Sequence, residues 1–176
     1  MRTALDSYVM SPHADTVDQL RFVAVDQDDP LAEPLLAELA VEYATRYHAP
    51  IEGVAKWLRT YPAEEFTPPG GALLIGLRDG RPVTGGAFRR FDDETAELKR
   101  IWTDSRYRRR GYARALLSVL ESEIAARGYR RIYLTTGDRQ PEAEELYVSS
   151  GYRRLDKPLP ADGEAYPLAF LKTLTS

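Results

Sequence analysis

Hydrophobic period changes repeatedly along this chain, and each change marks an element. LRFVAVD (20–26) alternates apolar and polar positions with β-branched and aromatic residues, which predicts a strand. Leu31, Leu35, Leu36, Leu39, Ala40 and Tyr43 then recur at helical spacing. Asp29 is placed to cap that helix, with Pro30 at its first position and Pro34 still in the tolerant first turns. IEGVAKWLRTY (51–61) predicts a shorter second helix, and TPPGG (67–71) breaks the pattern. Residues 72–93 read as two strands joined at Asp79-Gly80, a residue pair suited to a tight hairpin turn.

TAELKRIWTD (95–104) continues as a strand. A helix then carries Ala113, Leu116, Leu117, Leu120 and Ile124 on one side and stops at Gly128. RRIYLTT (130–136) is a strand, QPEAEELYVSSG (140–151) a short helix, and YRRLDK and AYPLAFLKTL two final strands around a PLPADGEA loop. Residues 1–18 show no sustained period and read as an N-terminal arm, leaving 19–176 as one domain. The order β-α-α-β-β-β-α-β-α-β-β predicts an α/β (α+β) fold on a mixed sheet rather than a regular alternation.

One strand does not keep phase. In AELKRIWT, Ala96 and Leu98 share a face and Glu97 and Lys99 share the other. Strict alternation would put apolar Ile101 with Glu97. Either a β-bulge near Lys99–Trp102 corrects the slip, or the strand end is buried on both faces. A bulge would free a backbone N–H.

Composition narrows the function. Net charge is −3, with 24 basic and 27 acidic residues, which argues against general nucleic-acid binding. With no cysteine and only His13 and His48, disulfides, a thiol nucleophile and a Cys- or multi-His metal site are excluded. No apolar run approaches the ~20 residues of a membrane span, and the first residues lack the apolar core of a signal peptide. A cytoplasmic protein without membrane partners is expected.

The cations are clustered all the same. Six arginines and one acid, Asp104, lie between Arg100 and Arg114. Within this run, Arg108-Arg109-Arg110-Gly111-Tyr112-Ala113-Arg114 opens a helix. A helix start offers unpaired N–H groups and a positive dipole end, glycine permits close approach of backbone to ligand, and arginines bind phosphate oxygens. The combination suits a pyrophosphate. It is not a P-loop, because no Lys-Ser/Thr pair follows a glycine loop.

Arg108-x-x-Gly111-x-Ala113 resembles the Q/R-x-x-G-x-G/A motif of GNAT-superfamily N-acetyltransferases. Upstream, ELKRIWT is similar to their fourth strand, and downstream EELYVSSGYRRL is similar to their LY-x-x-x-GF segment. The resemblance spans roughly residues 20–174. It implies the acyl-CoA N-acyltransferase fold, a mostly antiparallel sheet of about seven strands with helices on both faces. It also implies acetyl-CoA as co-substrate, without a metal. Amides of Arg108 to Arg114 would hold the pyrophosphate and Ile101, Trp102 and Thr103 the pantetheine. An amide near Ile101 or Trp102 would face the thioester carbonyl, where negative charge develops.

Two positions depart from the family pattern. Thr103 stands where valine is common, and the asparagine often found after the fifth strand is missing, with Gln140 as its substitute. The resemblance makes Glu97 the catalytic carboxylate that takes the amine proton and Tyr147 the acid that protonates the leaving thiolate. Tyr43, Tyr47, His48 and Trp57 fall in the region that covers the acceptor in this fold, and Trp102 and Arg100 are further candidates. The expected acceptor is a primary amine, on a small molecule or a protein N-terminus. A homodimer through the final strands is common in similar proteins. A non-catalytic acyl-CoA-binding module of the same fold is the alternative.

Overall fold

The structure is a computed structural model that describes residues 3–4, 20–60, 63–137, 141–161 and 167–175. Its strands are β1 (Thr3–Ala4), β2 (Arg21–Ala24), β3 (Ala72–Arg78), β4 (Arg81–Arg90), β5 (Thr95–Thr103), β6 (Arg131–Thr136), β7 (Arg153–Leu155) and β8 (Leu168–Thr173). The helices are α1 (Glu33–Tyr47), α2 (Ile51–Thr60), α3 (Tyr112–Ala126) and α4 (Pro141–Ser149). The described strands form one sheet in the order β1-β2-β3-β4-β5-β6-β8-β7. All neighbours are antiparallel except β5 and β6. The element order is the one expected, with one addition. Thr3–Ala4, inside the stretch read as an arm, pair with Val23–Ala24 as an edge strand, so the family's fourth strand is β5 here.

Local chemistry explains the boundaries. Asp79 and Gly80 both have positive φ (49° and 77°), as a twist-matched two-residue hairpin turn requires. Asp29 Oδ1 accepts from the Leu31 amide and caps a 3₁₀ turn, Pro30–Ala32, that runs into α1. His48 ends α1 in the left-handed conformation, its N–H donating to Ala44 O.

Each face of the sheet carries its own core. On one side α1 and α2 bring Leu35, Leu36, Leu39, Ala40 and Leu58 against Val23, Leu73, Ile75, Ala87 and Trp102. On the other, α3 presents Tyr112, Leu116, Leu120 and Ile124, one residue per turn, to Leu74, Phe88, Ala96, Leu98 and Ile132. Tyr147 of α4 belongs to this second core, with its ring centroid 5.6 Å from Tyr152 and 5.7 Å from Phe170.

The phase slip in β5 is a bulge. Ala87 pairs with Lys99 and Gly85 with Trp102, so Arg100 and Ile101 together oppose Gly86 alone. Arg100 takes φ 58°. Ile101 thereby joins Ala96 and Leu98 on the α3 side, and Trp102 moves to the α1 side. Gly86 makes room for the change. A Cβ there would lie 2.6 Å from Ile101 Cδ1 and 3.3 Å from Leu120 Cδ1. Gly86→Ala should therefore overpack the bulge and cost about 1–3 kcal/mol, read as a lower urea midpoint at unchanged slope. In an Ile101→Val background, which lacks Cδ1, that cost should shrink measurably.

Candidate functional site

The site begins where β5 and β6 part. Their parallel ladder covers only Thr95–Glu97 against Arg131–Tyr133, yet both strands continue, to Thr103 and Thr136. Beyond Glu97 the facing edges diverge into a wedge. After the bulge, β5 is pinned to β4 on its other edge. The buried Thr84 hydroxyl donates to Trp102 O at 2.8 Å and lies 3.0 Å from the Thr103 hydroxyl, and the Asp104 amide donates to Val83 O. β5 thus stays fixed to β4 while its edge toward β6 is open.

A groove of about 1120 Å³ follows that edge. Its floor is Ile101, Trp102 and Thr103, and one wall is the loop and helix start formed by Tyr107, Arg108, Arg109, Gly111, Tyr112, Ala113 and Arg114. Asp104 folds this loop by accepting from the Arg106 amide, and the Arg106 guanidinium in turn holds the Asp104 carboxyl below its ordinary range. Gly111 caps α3 at φ 81°, and a Cβ there would meet nothing within 4 Å. The first bond of α3 runs from the Ala115 amide to Gly111 O, so the amides ahead of it are left for a ligand by helix geometry. Nine of the eleven cofactor-binding positions expected from sequence line this groove. Arg110 instead lies over the Tyr107 ring, 5.2 Å from its centroid. Gln140 is outside the described residues.

The arginines divide among several tasks. Arg106 is paired with Asp104, and Arg114 donates to the Ser149 hydroxyl at 2.7 Å. Arg100 is not part of the cluster at all. It is buried at 9% exposure on the α2 side, where its guanidinium donates to Gln27 Oε1 and Leu58 O and lies over Phe66. Burial lowers its pKa to about 10.

A second, inner cavity of about 170 Å³ extends from the groove into the wedge. Leu98 to Ile101 line it from β5, Leu134 to Thr136 from β6 with Gly137 just after it, Leu39, Glu42, Tyr43 and Arg46 from α1, and Tyr147 from α4. The two spaces share Leu39, Glu42, Ile101, Ala143 and Leu146. Tyr147 is 5% exposed, and burial raises its pKa well above the ordinary phenol range.

Glu97 occupies the apex of the wedge as the last β5 residue in the parallel ladder, and it lines neither cavity. Its carboxylate accepts from Arg89 Nε at 2.8 Å and lies 3.5 Å from Lys99 Nζ. Of the four residues of the α1–α2 region expected at the acceptor, Tyr43 lines the inner cavity, and Tyr47, His48 and Trp57 line neither of these two spaces. Tyr47 stacks on Tyr43 at 6.0 Å and Trp57 meets it edge-on at 6.5 Å, both about half exposed, and His48 serves as the helix stop. Sequence reasoning missed Glu38 and Glu42 of α1 as groove walls. Glu38 Oε2 accepts from Trp102 Nε1 at 2.6 Å and ties α1 to the strand. Its i, i+4 spacing with Glu42, on the side of α1 bearing Leu35 and Leu39, was the available signal.

The Acetyltransferase (GNAT) family model matches residues 35–152, well over half of the chain. The chain belongs to that family. Human N-acetylaspartate synthetase is 37% identical to it over 90 residues, and an uncharacterized N-acetyltransferase of Mycobacterium bovis is 30% identical over 91. Each match covers about half of this chain, 50% and 52%. The chain spans 30% of the human relative and 58% of the mycobacterial one. The fold matches a GNAT-family acetyltransferase from Staphylococcus aureus with TM-score 0.72 at 17% identity, covering 89% of this chain and 99% of that one. It also matches a GNAT-family acetyltransferase from Elizabethkingia anophelis with acetyl-CoA bound, with TM-score 0.62 at 17% identity and 90% and 100% coverage.

Gly111 gives this GNAT chain a direct check on its groove. Gly111→Val places a β-branched residue at positive φ and fills the open space beside the helix amides. Calorimetry should show CoA affinity reduced by at least tenfold.

Proposed function

We propose that this protein transfers the acetyl group of acetyl-CoA to a primary amine, by direct attack with both substrates bound. The open edge of β5 beside a glycine-capped helix start carries this reading. An extended pantetheine arm can add to a free strand edge, and a pyrophosphate suits exposed helix amides flanked by Arg108 and Arg109. The groove chemistry therefore fits acetyl-CoA, which supplies an activated thioester. The human relative's name points to an amino-acid acceptor for that protein; for this chain the reading starts from the primary amine alone.

In a bulge that sets Arg100 and Ile101 against Gly86 alone, the extra residue's amide leaves the regular ladder. In this reading that amide stabilises charge on the carbonyl oxygen. Tyr147 reaches the same space from α4, and its elevated pKa keeps the phenol protonated through the neutral range, able to supply a proton to the departing sulfur. Glu97 takes the amine proton through cavity water rather than by contact, because its carboxylate stands behind Lys99 at the wedge apex.

Calorimetry should detect acetyl-CoA binding, and an amine panel should release free CoA thiol. Binding without release from any amine would favour the non-catalytic module. Tyr147→Phe should lower kcat by about 10²-fold while CoA affinity stays within twofold; an unchanged kcat removes the acid role.

Glu97→Gln makes a separate test. The variant should lose about 10²-fold in kcat at pH 7. The deficit should narrow toward pH 10, where an alkyl amine of pKa ~10.4 is substantially neutral without help. A deficit constant with pH would assign Glu97 to the ion pair with Arg89 alone.

A further inference from the structure

We propose that the acceptor bears a carboxylate beside its amine, as a free amino acid does, and that Arg46 and Lys99 at the inner cavity recognise that carboxylate. The proposal rests on the acetyl-transfer reading above and names the substrate class of the same site.

The described charged residues that line the inner cavity are Arg46, Lys99 and Arg100 against Glu42, with Glu97 just behind Lys99, so that cations outnumber acids on the cavity wall itself. None of these cations lines the outer groove, where Arg108, Arg109 and Arg114 stand. The site therefore has two separate cationic sets. In the acetyl-transfer reading the phosphates of the acyl donor lie along the outer groove beside the α3 helix start, and the inner set stands apart from them. A polyamine-like acceptor would enter against its own charge, and like-charge juxtaposition is costly. A carboxylate meets complementary charge.

Geometry assigns the residues. Lys99 lies two positions past the end of the parallel ladder, with its side chain 25% exposed. Its one described acidic neighbour within ion-pair distance, Glu97, is already bonded to Arg89. Burial, with the nearby Arg89 charge, holds the Lys99 pKa below its ordinary value although Glu97 works in the other direction. An anion arriving in the cavity would add to the partial compensation that Glu97 and Glu65 already give Lys99.

Arg46 approaches from the opposite wall. Its Nη2 donates to Glu42 Oε1 at 3.0 Å, and a Cβ built on Gly137 would lie 3.6 Å from that nitrogen. The guanidinium thus reaches from α1 across to Gly137, just past the end of β6, at the edge of the cavity. Its planar fork matches a carboxylate in two bonds, as an ammonium does not. Arg100, fixed by Gln27 and Leu58 O, adds field rather than contact. The inner cavity is much the smaller of the two spaces, about 170 Å³ against about 1120 Å³, which favours a small acceptor over an oligosaccharide.

The test is CoA thiol release at saturating acetyl-CoA with the twenty L-amino acids, their α-amides, and spermidine. At least one amino acid should be acetylated with kcat/KM ten or more times that of its amide. Arg46→Met and Lys99→Met should each raise KM for that amino acid by at least tenfold and collapse the acid-to-amide ratio toward one. General damage to the enzyme would lower both rates and leave the ratio intact. Arg46→Lys should restore only part of it. The proposal is overturned if spermidine or the amides are preferred, if no amino acid is acetylated, or if the variants leave the ratio unchanged. Acetyl-CoA binding by calorimetry separates the two levels. Without it the transfer reading fails and this proposal with it; with it, a preference for uncharged or cationic amines overturns this proposal alone.

Discussion

Three residue pairs of parallel ladder between β5 and β6 set the terms for everything else in this molecule. Parallel strands are ordinarily buried and continuously paired. Here the pairing stops at Glu97 and Tyr133, while both strands run on. The backbone groups beyond that point must find other partners or remain available to a ligand. The remaining constraints follow from holding such an opening without collapse. Thr84 ties the far end of β5 back to β4, Trp102 ties it to Glu38 on α1, and Arg100 ties the bulge itself to Gln27 and the α2 backbone. On the other side Ile101 is seated over Gly86 against Leu116 and Leu120. The wedge is held from both faces of the sheet.

Electrostatics is arranged around the same opening. Glu97, 5% exposed at the apex, would be costly to bury alone. Arg89 and Lys99 meet it, and Arg89 also donates to Glu65 at 2.6 Å. This chain of charges leads from the surface to the inner cavity, where Lys99 is its last member. The outer end of the opening is governed by backbone instead. Gly111 at positive φ and the first-turn amides of α3 are fixed dipoles, while Arg109 is 90% exposed and only 3.9 Å from Glu142 at its nearest. Exposed ion pairs of that kind contribute little. The glycine and helix start therefore matter more than the number of arginines beside them.

What could be read from sequence follows from how local each cause is. The phase slip was visible because a two-residue period cannot put Leu98 and Ile101 on one face, and the pattern alone left a bulge and a doubly buried strand end as its two explanations. The Asp79-Gly80 turn and the Gly111 helix start were visible because each depends on backbone angles that few residues adopt. Where a side chain goes after leaving the strand is another matter. Alternation places Glu97 on a face but does not say that Arg89 will meet it there. Arg100 sits in sequence with the arginine cluster, yet the bulge turns it to the opposite end of the site. The acidic wall of α1 depends on how the helix lies across β5, a tertiary fact. Gly85-Gly86 was an unread signal. The pair marks where one sheet strand must leave space for the next, and its meaning appears only with the bulge opposite.

In the proposed reaction Tyr147 is a core residue and a site residue at once. Its ring packs against Tyr152 and Phe170, and its burial is nearly complete. Those contacts look like ordinary packing, and they are. They also fix the phenol against the wall of the inner cavity and keep it neutral. An exposed tyrosine would have an ordinary pKa but no fixed position. A tyrosine deeper in the core would be fixed but out of reach. The edge of the wedge allows both fixity and reach, because there the core of the sheet is interrupted by the gap between β5 and β6. The same interruption that leaves backbone amides available brings a buried side chain to the cavity surface.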